Sequence, residues 1–135
     1  MILRPGSGNY EMPTKVVDAS VIAAWCFREP RATEALALIQ EFELHAPPLL
    51  AFELTSIARR KAITYPERAG FVTEGLRAAL ALRIHWNDVD HIAVMRLALD
   101  TGLTTYDACY LYVARSVGAY LATFDEKLAK ISRKF

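Results

Sequence analysis

A chain of 135 residues with 53% hydrophobic and 23% charged content can bury a core without disulfide or metal staples, and reads as a soluble globular domain rather than a disordered one. Sixteen Lys and Arg against fifteen Asp and Glu leave a net charge of +1, so bulk charge excludes a general polyanion binder and any nucleic-acid contact has to come from a local patch. No apolar run reaches the roughly 18 residues of a membrane span, and no signal-peptide pattern opens the chain, so a cytoplasmic protein is expected.

Residues 1–14, with Pro5, Gly6, Ser7, Gly8 and Pro13, show little periodicity and are expected to form a disordered leader to a single domain spanning 15–135. Residues 15–17 are a short strand-like run that stops at Asp18 and turns directly into the helical pattern 21–25. That handover places Asp18 at the carboxyl end of a strand, the edge where open α/β sheets bind ligands. The first helix runs to about Phe27. Pro30 then opens a second, with Ala35, Leu36, Ile39 and Phe42 at helical spacing.

His45 and Ala46 suggest a short strand before a third helix over about 48–63, whose inner stripe is Leu50, Leu54, Ile57 and Ala58, with Glu53 inside that stripe. Pro66-Glu67 opens a helix through Phe71, Val72, Leu76, Ala79 and Leu80, weakened by Gly70 and Gly75. Residues 82–86 alternate as a strand. Asn87-Asp88 then caps a helix expected to turn Ile92, Met95 and Leu99 inward and to stop at Gly102.

A further helix runs from Ala108 to about Val117 and ends at Gly118. Residues 119–123 form a strand, and Asp125 precedes the last helix. Strands alternating with helices imply an α/β fold with a parallel, helix-covered sheet. Trp25, Trp86 and Tyr110 read as core. Cys26 and Cys109 read as reduced core thiols, and His45, His85 and His91, without partners at ligand spacing, as structural or exposed.

Four carboxylates stand apart from this pattern. Taken singly, Asp18 and Asp125 are as well explained as N-caps, and Asp107 as a first-turn acid. Glu53 is different, because a charge on an apolar helix stripe is costly unless something compensates it. Asp18 and Asp125 both terminate strands expected to be parallel, so their carboxylates emerge on one side of the sheet. Clustered carboxylates raise one another's pKa and call for a hard cation. An oxygen-only donor set suits Mg²⁺ or Mn²⁺ rather than zinc, and such ions activate water and neutralise charge on a phosphodiester.

The motifs Val-Val-Asp18-Ala-Ser20, Leu-Leu-Ala-Phe-Glu53-Leu, Leu-Thr-Thr-Tyr-Asp107-Ala-Cys-Tyr-Leu and Leu-Ala-Thr123-Phe-Asp125-Glu-Lys-Leu follow one another in an order that resembles the PIN-domain family. The likeness is to its VapC-type toxin ribonucleases of type II toxin–antitoxin systems, and it covers Lys15 to the C-terminus. It implies a three-layer α/β/α fold with a short parallel sheet and an endoribonuclease that uses Mg²⁺ or Mn²⁺. It also implies RNA as substrate, cleaved to 5′-phosphate and 3′-hydroxyl ends, a cognate antitoxin and a homodimer.

By the same resemblance Asp18, Glu53, Asp107 and Asp125 are the catalytic, metal-binding residues, supported by Ser20 and Thr123. One departure is Ser56, which stands where family members often carry Asn; it bears on how Glu53 is oriented, not on the cluster itself.

Arg60, seven residues after Glu53, returns to nearly the same helical face and is a candidate for holding an RNA phosphate. A solvated, basic helix end accounts equally well for Arg59-Arg60-Lys61. Two rival functions use the same fold class: a non-catalytic RNA- or protein-binding module, and a phosphotransfer domain. The haloacid-dehalogenase form of the latter expects Asp-x-Asp, where this chain has Asp18-Ala-Ser20.

Overall fold

The computed structural model describes residues 12–134. Among these residues four short strands, β1 (Thr14–Val17), β2 (Glu43–Ala46), β3 (Ile84–Trp86) and β4 (Tyr120–Ala122), form one sheet in the order β3-β2-β1-β4, with every pairing parallel. The expected leader falls largely outside the described residues, which begin at Met12. The backbone is already tied down at Pro13, whose carbonyl accepts from Glu43 N at 2.9 Å.

Among the described residues seven helices connect and cover the strands: α1 (Ala19–Cys26), α2 (Ala32–Ile39), α3 (Leu49–Thr64), α4 (Ala69–Leu80), α5 (His91–Thr101), α6 (Thr105–Val117) and α7 (Glu126–Ser132). A 3-10 turn at Pro66–Arg68 precedes α4. Helix α1 packs against α2, α3 and α4, whereas α6, backed by α5, lies along β1, β2 and β4, giving the three-layer α/β/α arrangement. The sequence of α1 is apolar nearly all round, as befits a helix buried on several sides: Ala19, Val21, Ile22, Ala23, Ala24 and Cys26 are all inside.

Val16 and Val17 are fully buried in the central strand, as are Leu50 and Leu54 of α3. Each such side chain contributes about 1.5–3 kcal/mol relative to exposure. A second apolar cluster joins α5, α6 and α7 through Val94, Leu97, Ala98, Leu111 and Leu128.

Two expectations are corrected. The inward face of α5 is Val94, Leu97 and Ala98, while Ile92, Met95 and Leu99 are exposed, Leu99 to 75%. The helix carries two apolar stripes, is capped by Asp90 rather than Asn87-Asp88, and packs the second stripe against α6 and α7. Trp86, read as core, is 43% exposed, because β3 is the edge strand of the sheet.

Candidate active site

Asp18 directly follows the last residue of β1 and Asp125 lies three residues past the end of β4, so adjacent parallel strands deliver both carboxylates to the same sheet edge. Each does a structural duty there as well. Asp18 caps α1 by accepting from Ser20 N and Val21 N, and Asp125 caps α7 by accepting from Leu128 N. The two ends are stitched by Asp18 N donating to the Ala122 carbonyl at 3.3 Å.

Asp18 is the one buried charged residue among those described, 6% exposed. Its Oδ1 accepts from Ser20 Oγ at 2.6 Å, and its Oδ2 accepts from Thr123 Oγ1. The network continues outward: Phe124 N donates to Ser20 Oγ at 2.9 Å, and Asp125 N to Thr123 Oγ1 at 3.0 Å. Burial raises the Asp18 pKa, and these hydrogen bonds oppose the shift without cancelling it.

Glu53 projects from α3 and Asp107 from the first turn of α6, whose N-cap is Thr104. Burial raises both. Asp18 and Asp107 push Glu53 further up, and Asp125 does the same to Asp107. The four carboxylates are therefore electrostatically linked. Among the described residues none of them takes part in an ion pair, and the cation acting on Asp107 is the more distant Lys127. A concentration of negative charge with oxygen donors and no ion pair among the described residues fits a hard divalent cation.

Tyr110, read from its spacing as core, is indeed 1% exposed, but it has a polar task too. Its phenol donates to Glu53 Oε1 at 2.5 Å. Burial and the neighbouring Glu53 carboxylate hold the phenol in its protonated form across the working pH range. Ser56 is exposed, and Glu53 is oriented from α6 instead. A charged group and a phenol 57 residues apart are joined only by the tertiary fold. The available hint was a Tyr on the apolar face of the helix that also carries Asp107.

Beside Ser20 opens a cleft of about 640 Å³, lined by Arg31, Arg60, Lys61, Tyr65 and Phe124 among others. Lys61 is committed to Glu29 at 2.6 Å, and Arg31 lies over the Phe124 ring at 3.7 Å while paired with Glu34. Arg60 is exposed on α3 and forms no ion pair among the described residues.

His85 and His91 are exposed and His45 is half-buried, but the fold gives two of them partners that lie far apart in the sequence. Pairing of β2 with β3 sets His45 against His85, and with Glu43 they form a second group of possible metal ligands. Both cysteines are free, as expected. Burial, with Glu29 nearby, pushes the Cys26 thiol up to about 12, which makes it unreactive.

Three comparisons bear on this geometry. The family model described as PIN domain matches residues 15–134. Ribonuclease VapC3 of Pyrobaculum aerophilum is 36% identical over 120 residues, covering 85% of this chain and 92% of the relative. Exonuclease VapC9 of the same organism is 54% identical over 35 residues, 26% of either chain. The crystal structure of PAE2754 from Pyrobaculum aerophilum matches with a TM-score of 0.72 at 26% identity, covering 88% of this chain and 79% of that one.

Proposed function

Because the chain belongs to the PIN-domain family and, within it, to the VapC type, we propose that it is a divalent-metal-dependent endoribonuclease acting as the toxin of a toxin–antitoxin pair. The observation that carries this reading is the linked set Asp18, Glu53, Asp107 and Asp125, gathered from four elements and in no ion pair among the described residues. These four residues are the proposed ligands of Mg²⁺ or Mn²⁺. Such an ion lowers the pKa of water and neutralises charge on a phosphodiester, so that hydrolysis leaves a 5′-phosphate and a 3′-hydroxyl.

The protein's own part is positioning. Ser20 and Thr123 fix both oxygens of Asp18, and Tyr110 fixes one oxygen of Glu53. Arg60, on the wall of the neighbouring cleft, holds a phosphate of the RNA by charge-assisted hydrogen bonds. A cognate antitoxin would reach the acidic pocket itself with a basic side chain, supplying there the charge that the cation supplies in the active enzyme.

A homodimer is proposed on a separate ground. Phe52, Ile92, Met95, Leu99 and Tyr106 leave large apolar side chains exposed along α3, α5 and the start of α6, and a second copy would cover such a surface.

Cleavage of total RNA by the purified chain, with Mn²⁺ or with EDTA, tests the enzyme reading. Discrete fragments are expected with the metal only, and Asp18→Asn should abolish them while leaving the protein folded. Equal cleavage in EDTA, or by the Asp18→Asn variant, would overturn it.

A further inference from the structure

The face of the sheet edge formed by β2 and β3 carries a second constellation. In parallel pairing His45 lies opposite His85, so both side chains leave the same face, and Glu43, two residues before His45, shares it. The imidazoles stack with centroids 4.6 Å apart and planes 16° from parallel. Glu43 Oε1 stands 3.0 Å from His45 Nε2 and 3.7 Å from His85 Nε2. One ligand atom from each residue lies within 4.8 Å of the other two, and among the described residues this is the group that meets that condition.

We propose that Glu43, His45 and His85 form a binding site for a borderline transition-metal dication of the Zn²⁺ class, separate from the acidic pocket. The donor set decides the class of ion. Two imidazoles and one carboxylate are a recurring set for zinc and for Co²⁺ or Ni²⁺, whereas Mg²⁺ prefers oxygens alone. The spacing agrees. Ligands about 2.0–2.1 Å from a tetrahedral ion lie roughly 3.3 Å from each other, and the two Nε2–Oε1 separations bracket that value.

His45 has the outer partner that metal-bound histidines need. Asn87 Nδ2 lies 2.9 Å from His45 Nδ1 and donates to the His85 carbonyl at 2.9 Å. In the metal-free protein His45 Nδ1 accepts from that amide, and its Nε2–H points to Glu43. Metal binding moves the ring proton from Nε2 to Nδ1. The amide turns over so that Oδ1 accepts it, giving up the bond to the His85 carbonyl.

Glu43 and His85 are 41% and 52% exposed at the side chain, His45 only 14%. The ion would thus sit at the surface, anchored by one largely buried ring and completed by water, and it would clamp the edge strand β3 onto β2. This site does not rest on the nuclease reading, and its test reads metal binding rather than RNA cleavage.

The experiment is calorimetric titration of the metal-stripped full chain with ZnCl₂ in excess Mg²⁺, with Co²⁺ substitution read by its visible absorption. One Zn²⁺ per chain is expected, bound at least tenfold more weakly by His85→Ala and with unchanged affinity by Asp18→Asn. Zinc affinity unchanged in His85→Ala, zinc binding lost in Asp18→Asn, or no binding by the folded wild-type chain would each overturn the proposal.

Discussion

Tyr110 holds a carboxylate in a pocket already crowded with negative charge. Its phenol donates to Glu53 from within the core, so Tyr110→Phe keeps the packing and removes one hydrogen bond. The fold should lose about 1 kcal/mol. Metal affinity or cleavage rate should fall by roughly 10- to 100-fold, as is usual when a ligand's outer partner is lost. An Mn²⁺ titration of the cleavage rate, set beside a denaturation curve, separates the two effects.

At this scale the chain was partly legible. Asp18 and Asp125 announce themselves because a strand, an acid and a helix follow one another within a few residues. The Tyr110–Glu53 contact and the Glu43–His45–His85 group do not, since each depends on which distant elements lie side by side. One residue of strand register decides whether His45 and His85 share a face at all.

Helix α4 shows how an element can mislead when its neighbours are unknown. Gly70 and Gly75 both look like flaws in its helical pattern, yet their surroundings differ. A Cβ on Gly70 would meet nothing within 4 Å, whereas one on Gly75 would lie 2.5 Å from the Cys26 carbonyl oxygen and 3.0 Å from the Phe27 ring. Gly70→Ala should therefore stabilise the protein by about 0.5–1 kcal/mol. Gly75→Ala should instead cost about 1–3 kcal/mol by forcing α4 away from the end of α1. Urea denaturation of the two variants checks the opposite signs.

Helix α5 gives the same lesson on a face rather than a residue. Its spacing allows Ile92, Met95 and Leu99 as an inner stripe as readily as Val94, Leu97 and Ala98. The choice is made by contact with α6 and α7, which periodicity alone does not contain. The alternation of strands and helices was a stronger signal, and it carried the parallel sheet.

For the whole molecule the acidic pocket is a cost that varies with pH. Asp18, Glu53 and Asp107 all have raised pKa values in the folded state, chiefly from burial. The native state therefore binds protons more tightly than the unfolded chain. Their contribution to stability is greatest below the ordinary carboxylate range, about pH 4, and is lost as pH rises through the raised values. In EDTA the melting temperature should fall over that window. Saturating Mn²⁺ should remove much of the fall, by about 2.7 kcal/mol at a hundredfold excess over Kd, and Asp18→Asn should flatten it without metal. Melting curves from pH 4 to 8, with and without the ion, read all three.

The pairing of β4 with β1 has a consequence in time. Asp18 is made early, but its Thr123 partner comes 105 residues later, together with Asp125. At roughly 5–20 residues per second, those 105 residues separate the two partners by about 5–20 s of synthesis. The acidic pocket is therefore complete only once β4 has docked beside β1.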